Sequence, residues 1–213
     1  NIVCPSQWIK NYAINNSILK INNSIVIRNP INFKFWKPIK LKKNKKRIIL
    51  FGSVDVNSDK RKGLNNFLKK LNKISNHLPN FKLCIFGSNQ IKYNNLNFEV
   101  ENLGFLNSKG LRYYYNKSDV YVVTSKQDNL PNTAIEAMSC GTPVITVSNN
   151  GLKEIILNKK NGYVMSNFSD TELKKSLQWS FGVNRKNFIH SSIKKQFSEI
   201  IISKEYYNYY NKI

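Results

Sequence analysis

From residue 47 onward, short apolar runs alternate with amphipathic stretches, which commits the chain to strand–helix repeats around a parallel sheet. Residues 47–51 (RIILF) end at Gly52 and residues 81–86 (FKLCIF) end at Gly87, each with the length and apolar content of a buried strand. Between them, Leu64, Phe67, Leu68 and Leu71 recur at i, i+3, i+4 and i+7, the stripe of a helix over 63–71. Residues 98–100 and 103–106 read as short strands around a turn at Asn102. Residues 108–117 read as a helix with Leu111, Tyr114 and Tyr115 inward, and 120–123 (VYVV) as a central strand. Another strand falls at 143–147, a short helix at 152–157 and an edge strand at 162–165. A helix over 170–179 is capped by Ser169 and opens a helical tail. The fold class is α/β: a Rossmann-like parallel sheet flanked by helices, with a helical C-terminal tail.

Residues 1–44 behave differently. A strand at 2–3, a helix from about Ser6 and a strand at 24–27 fit the last units of a preceding α/β domain. Residues 29–38 contain Pro30 and Pro38 and read as an extended crossing segment, because proline and the residue before it resist helix. The expected division is 1–40 for the end of a truncated first domain and its linker, 41–185 for the main domain, and 186–213 for the tail. A chain that opens on Asn1 with a strand and no lead-in reads as a fragment.

The charge is the feature most open to misreading. Thirty-four Lys and Arg against 12 Asp and Glu give +22, a balance that suits nucleic acid or anionic membranes. The lysines, however, are spread along the whole chain with abundant Asn and Ile. The one dense cluster, residues 42–47, reads as a solvated linker before a strand. Nucleic acid is therefore not the expected partner, although peripheral contact with an anionic membrane fits. Three widely spaced cysteines (Cys4, Cys84, Cys140), with no C-x-x-C, point to reduced thiols in the cytoplasm rather than to a zinc site or disulfides.

In open parallel sheets, ligands bind where strands end and helices begin. The loop after 120–123 leads through Asp128 and Asn129 to Pro131, suited to a first helical position, and Gly141 is placed to end that helix. Such a helix start offers free N–H groups and a positive dipole end to a diphosphate. Glu136 lies five residues past Pro131, roughly 7.5 Å along the axis. That is about the span from a diphosphate to a ribose diol, whose two hydroxyls a carboxylate can accept. Asp128 could serve sugar hydroxyls on the other side of the phosphates. On spacing alone, a turn residue and an exposed helix charge explain the two acids equally well.

The stretch SKQDNLPNTAIEAMSCGTPVI, followed by Gly151-Leu152-Lys153-Glu154 and Asn161-Gly162-Tyr163, resembles the donor block of family 4 glycosyltransferases. That family has the GT-B architecture, two Rossmann-like domains facing across a cleft. Its pair of acids separated by seven residues is met here by Asp128 and Glu136, with Asp where Glu is more usual. The resemblance assigns Asp128 to the donor sugar, Glu136 to the ribose, and main-chain amides around Asn129 and Leu130 to sugar and phosphate. Pro131, Asn132 and Thr133 complete the donor segment. Upstream, Ser53 stands where many members carry Arg, Lys62 matches the lysine before glycine, and Arg61 can add a second cation. Cations there would stabilise a departing diphosphate. Cys4-Pro5-Ser6-Gln7-Trp8, Arg28-Asn29-Pro30 and residues 35–38 (FWKP) extend the likeness to nearly the whole chain.

The resemblance implies transfer of a sugar from a nucleotide-diphosphate donor to an acceptor hydroxyl, with retention and without a cofactor or metal. The acceptor would be a glycan or a lipid-linked sugar in surface-polysaccharide synthesis. Catalytic residues are not identified; Asp128, Arg61 and Lys62 could contribute, and others would lie on the missing domain. The rivals are a non-catalytic relative and a basic nucleic-acid-binding module that stacks bases on Tyr113–Tyr115 or Tyr206–Tyr210. A dinucleotide oxidoreductase lacks its G-x-G-x-x-G turn.

Overall fold

The computed structural model describes residues 2–18, 24–42, 45–52, 60–88, 93, 95–125 and 127–212. A small parallel pair, β1 (Ile2–Cys4) and β2 (Ser24–Val26), is bridged by helix α1 (Gln7–Asn15). The Ser6 hydroxyl caps α1 by accepting from the Ile9 amide. Then follow β3 (Arg47–Gly52), α2 (Leu64–Ile74), β4 (Phe81–Phe86), β5 (Glu99–Gly104), α3 (Ser108–Lys117), β6 (Val120–Val123), α4 (Asn132–Ser139), β7 (Val144–Val147) and β8 (Gly162–Met165). Three helices close the chain: α5 (Asp170–Phe181), α6 (Lys186–Phe197) and α7 (Glu199–Tyr210).

The main sheet is parallel, in the order β5-β4-β3-β6-β7-β8. The chain therefore starts at the centre, winds outward to β5, returns to place β6 against β3, and winds out the other way. The order reverses between β3 and β6, which opens a crevice at their carboxyl ends.

Both faces of the sheet are covered, which is why its strands read as unbroken apolar runs rather than alternating ones. Along β3, Ile48 and Leu50 face α3, α4 and α6, while Ile49 and Phe51 face α2 and α5. The stripe expected on α2 is buried, with Phe67 stacked on Phe51 at 4.9 Å. The tail belongs to the core: Ile189, Ile193 and Phe197 of α6 are fully buried with Ala134, Ile135 and Met138 of α4. Each such side chain contributes roughly 1.5–3 kcal/mol of burial.

The structure corrects four local expectations. Asn102 is not a turn but lies inside β5, where a register shift against Ile85 and Phe86 absorbs the extra residue. That strand is at the sheet edge, so its polar residues are tolerated; Lys82 and the Tyr114 hydroxyl hold Glu101. Residues 29–38 are not extended throughout. The Asn32 side chain accepts from the Lys34 and Phe35 amides and its carbonyl accepts from Trp36, a turn that buries Trp36. Pro131 precedes α4 as its cap, with ψ 123°, instead of occupying the first turn. The short helix after β7 is a 3-10 turn, Gly151–Glu154, capped by Asn150. Gly141 does end α4, at φ +83°.

Candidate functional site

The crevice between β3 and β6 is lined by Gly52, Lys62, Tyr121, Thr124, Ser125, Asp128, Pro131 and Thr133, with neighbouring strand residues. The residues after β3 and those after β6 meet because backbone bonds pin both. The Thr124 hydroxyl donates to the Lys62 carbonyl at 2.7 Å. Gly63 follows in the left-handed region at φ +76°, where a Cβ would come within 3.1 Å of the Thr124 hydroxyl. Across the crevice, the Lys62 ammonium meets the Asp128 carboxylate at 2.7 Å, with both side chains largely covered. Asp128 is fixed from behind, its carbonyl accepting from the Gly151 amide at 3.0 Å.

Tyr121 forms the floor. Its hydroxyl lies 2.7 Å from the Gly52 carbonyl and 3.1 Å from the Thr133 hydroxyl, and complete burial holds its pKa well above the ordinary range. Gly52 and Thr133 are thereby tied to one side chain. One turn further along α4, Glu136 faces inward and accepts from the Tyr115 hydroxyl at 3.3 Å. Burial raises the Glu136 carboxyl to about 7, against the lowering effect of that bond. A carboxyl poised near neutrality, close to a crevice, is the kind of group that functional sites assemble.

Of the residues singled out in the sequence, Lys62, Asp128, Pro131 and Thr133 converge on the crevice. Glu136 lies beside it on the same helix, Arg61 is exposed next to Lys62, and Asn132 is exposed at the helix start. Leu130 is buried, so only its backbone can reach a ligand. The Asn129 side chain is committed elsewhere, since its carbonyl oxygen accepts from the Ser6 hydroxyl. Ser53 lies outside the described residues.

Sequence reasoning missed the supports. Tyr121 and Thr124 carry no motif, Ser6 stands in a family segment without a role, and Tyr115 was placed inward without its partner. The available signal was chemical: a buried tyrosine hydroxyl must find an acceptor. The N-terminal unit also reaches the site. Glu154 accepts from the Gln7 and Trp8 amides at the start of α1, where the helix dipole favours a carboxylate. Tyr115, one of the proposed stacking platforms, is fully buried and unavailable to a base. Among the described residues, no three His, Cys, Asp or Glu side chains cluster as metal ligands, and no helix is long and apolar enough to cross a membrane.

The profile of the family described as "Glycosyl transferases group 1" matches residues 32–184, from the crossing segment to just beyond α5. The chain belongs to that family. A Haemophilus influenzae relative described as an uncharacterized glycosyltransferase is 28% identical over 165 residues, 74% of this chain and 45% of that one. The spore coat protein SA of Bacillus subtilis is 31% identical over 140 residues, 59% of this chain and 36% of that one. The chain spans half or less of the length of the curated relatives it matches.

Solved structures show the same fold at low identity. Sucrose-phosphate synthase from Thermosynechococcus elongatus superposes with a TM-score of 0.80 at 20% identity, covering 99% of this chain and 57% of that one. Anabaena HepE, in complex with UDP-glucose, superposes with a TM-score of 0.73 at 14% identity, covering 99% and 63%. The fold is α/β and GT-B-like.

Proposed function

We propose that the crevice between β3 and β6 binds a nucleotide-diphosphate sugar for transfer to an acceptor hydroxyl, with retention and without a metal or cofactor. The observation that carries this reading is the position of the Lys62–Asp128 pair and Glu136 around one helix start. In this reading Lys62, with Arg61, meets the diphosphate. The Asn129 and Leu130 amides and the start of α4, with Asn132 and Thr133, face phosphate and sugar. Asp128 accepts from sugar hydroxyls and Glu136 from the ribose. UDP is the first nucleotide to test, because HepE is described in complex with UDP and glucose. The acceptor in this reading is a glycan or lipid-linked sugar of surface-polysaccharide synthesis. Because the chain spans half or less of the length of its curated relatives, we expect residues 1–213 to bind donor without appreciable turnover.

Calorimetry with UDP-, GDP- and ADP-glucose tests the reading. One series should bind, and Glu136→Ala should weaken free nucleotide and donor alike, by roughly ten-fold or more for a charged hydrogen bond to hydroxyls. Unchanged nucleotide affinity in a folded Glu136→Ala protein removes the ribose assignment.

We also propose a cytoplasmic location with peripheral contact at the inner face of a membrane; the membrane contact is supported by one basic groove. At the opposite end of the sheet, Lys40, Lys42, Lys45, Lys46, Arg185 and Lys186 line one groove, in which Asp119 is already held by Arg47 at 2.8 Å. Binding to phosphatidylserine vesicles, lost on reversing Lys40, Lys42 and Lys45 but kept on reversing Lys69, Lys174 and Lys175, would support it. Equal loss in both triple variants would reduce it to net charge.

A further inference from the structure

The crevice is self-neutralised. Among the described residues that line it, Lys62 is the only cation and Asp128 the only anion, and they are bound to each other at 2.7 Å. Only 23% of the lysine side chain and 17% of the aspartate side chain are exposed. Neither residue can drift far, because the Lys62 carbonyl is held by Thr124 and the Asp128 carbonyl by Gly151. The contact is therefore built into the unliganded fold. It is not the chance meeting of two long surface side chains.

We propose that Asp128 is an internal competitor for Lys62, through which the site favours a sugar-bearing donor over the bare nucleoside diphosphate and helps to expel the latter. The inference rests on the donor-site reading above. It follows from what each ligand offers. The phosphates need the Lys62 ammonium and must take it from Asp128. The carboxylate then loses its counter-ion while largely covered and lies near new negative charge, which is costly unless another donor replaces the ammonium. A donor sugar brings hydroxyls that can donate to the carboxylate. A bare nucleoside diphosphate brings none.

Two ligands with the same phosphates thus face different sites. With the sugar present, Lys62 and Asp128 exchange each other for better partners and both stay satisfied. Once the sugar has been transferred, Asp128 is again unpartnered, and recapture of Lys62 works against the remaining diphosphate. No covalent step is involved; two hydrogen-bonded ions exchange partners. The opposite arrangement is also physically sensible: Asp128 could preorganise Lys62 for phosphate. The two differ in sign, since removing the carboxylate's charge strengthens phosphate binding under competition and weakens it under preorganisation.

The test is calorimetry of the whole chain with UDP and UDP-glucose, comparing the wild type with Asp128→Asn. For a closely paired charge we expect bare UDP to bind roughly ten-fold more tightly to the variant. The preference for UDP-glucose over UDP should shrink toward one. In a Lys62→Gln background, Asp128→Asn should give a clearly smaller gain, because only direct repulsion of the phosphates is left to relieve. Asp128→Ser serves the same purpose should the Asn variant unfold. Wild-type binding of UDP with unchanged or weaker UDP affinity in the variant overturns the competitor role and leaves the donor site standing. Failure of the wild type to bind UDP, GDP or ADP overturns the donor-site reading itself, and the proposal with it.

Discussion

The Tyr115 hydroxyl donates to the Glu136 carboxylate at 3.3 Å, joining the two helices that flank β6 in the chain. The tyrosine is fully buried and the carboxyl is pushed up to about 7, chiefly by burial. A carboxyl raised above its ordinary 4.5 holds its proton more tightly in the folded state. Its contribution to stability is complete below about pH 4.5 and is lost as pH rises through about 7. Glu136→Gln should therefore stabilise the fold on the order of 2–3 kcal/mol at pH 8 and change little near pH 4.5. Urea unfolding at both values checks this, and equal effects at both would sink it.

Tyr115→Phe removes the one bond that lowers the Glu136 pKa. The expected result is a carboxyl titration midpoint moved to higher pH, read by carbon-13 NMR. A midpoint that stays in place or falls would show that the hydroxyl does not act on Glu136.

Gly151 has no room for a side chain. A Cβ there would sit 1.8 Å from the Asn129 carbonyl oxygen, a backbone atom of the crevice loop. Gly151→Ala must displace that loop, and a loss of about 3 kcal/mol or more is expected from the forced shift. Gly182→Ala, where the nearest atom is 3.5 Å away, should be tolerated and serves as the control. Equal melting temperatures for the two variants would contradict the contact.

Asn161, fully buried, accepts from the Leu157 amide at 2.7 Å and donates to the Ile155 carbonyl at 3.2 Å and the Ser192 hydroxyl at 3.0 Å. It ties the turn before β8 to α6. Asn161→Ala leaves several buried polar groups unmatched, at a cost of about 2–4 kcal/mol. Denaturant unfolding should show a lower midpoint; an unchanged one would mean that water replaces the amide.

Glu154 accepts from two amides at the start of α1. Glu154→Ala should speed amide hydrogen exchange across Gln7–Asn15, with a loss of about 1 kcal/mol. Exchange unchanged in α1 would show that Ser6 alone caps the helix.

The strands were legible because a sheet covered on both faces selects apolar residues at every position: the extents of 81–86, 120–123 and 162–165 match β4, β6 and β8. The edge strand β5 was misread because its polar residues answer to one neighbour, Lys82 and Tyr114, rather than to a periodic core. Asp128, Glu136 and Lys62 could be singled out as candidates through their motif. Their surroundings could not. Tyr121, Thr124 and Ser6 act through contacts 12, 62 and 123 residues away in sequence, a separation at which no local pattern survives.

The sequence by itself determined the α/β class, the helix start that follows Pro131 and the two acids with seven residues between them. Those are local properties, set by periodicity, proline geometry and spacing along the chain. Only the tertiary structure decided that β6 lies against β3, bringing Lys62 within 2.7 Å of Asp128. It alone enclosed Glu136 closely enough to move its carboxyl to about 7. Charge pairing and desolvation depend on which groups share a volume, and that is fixed by the winding of the sheet.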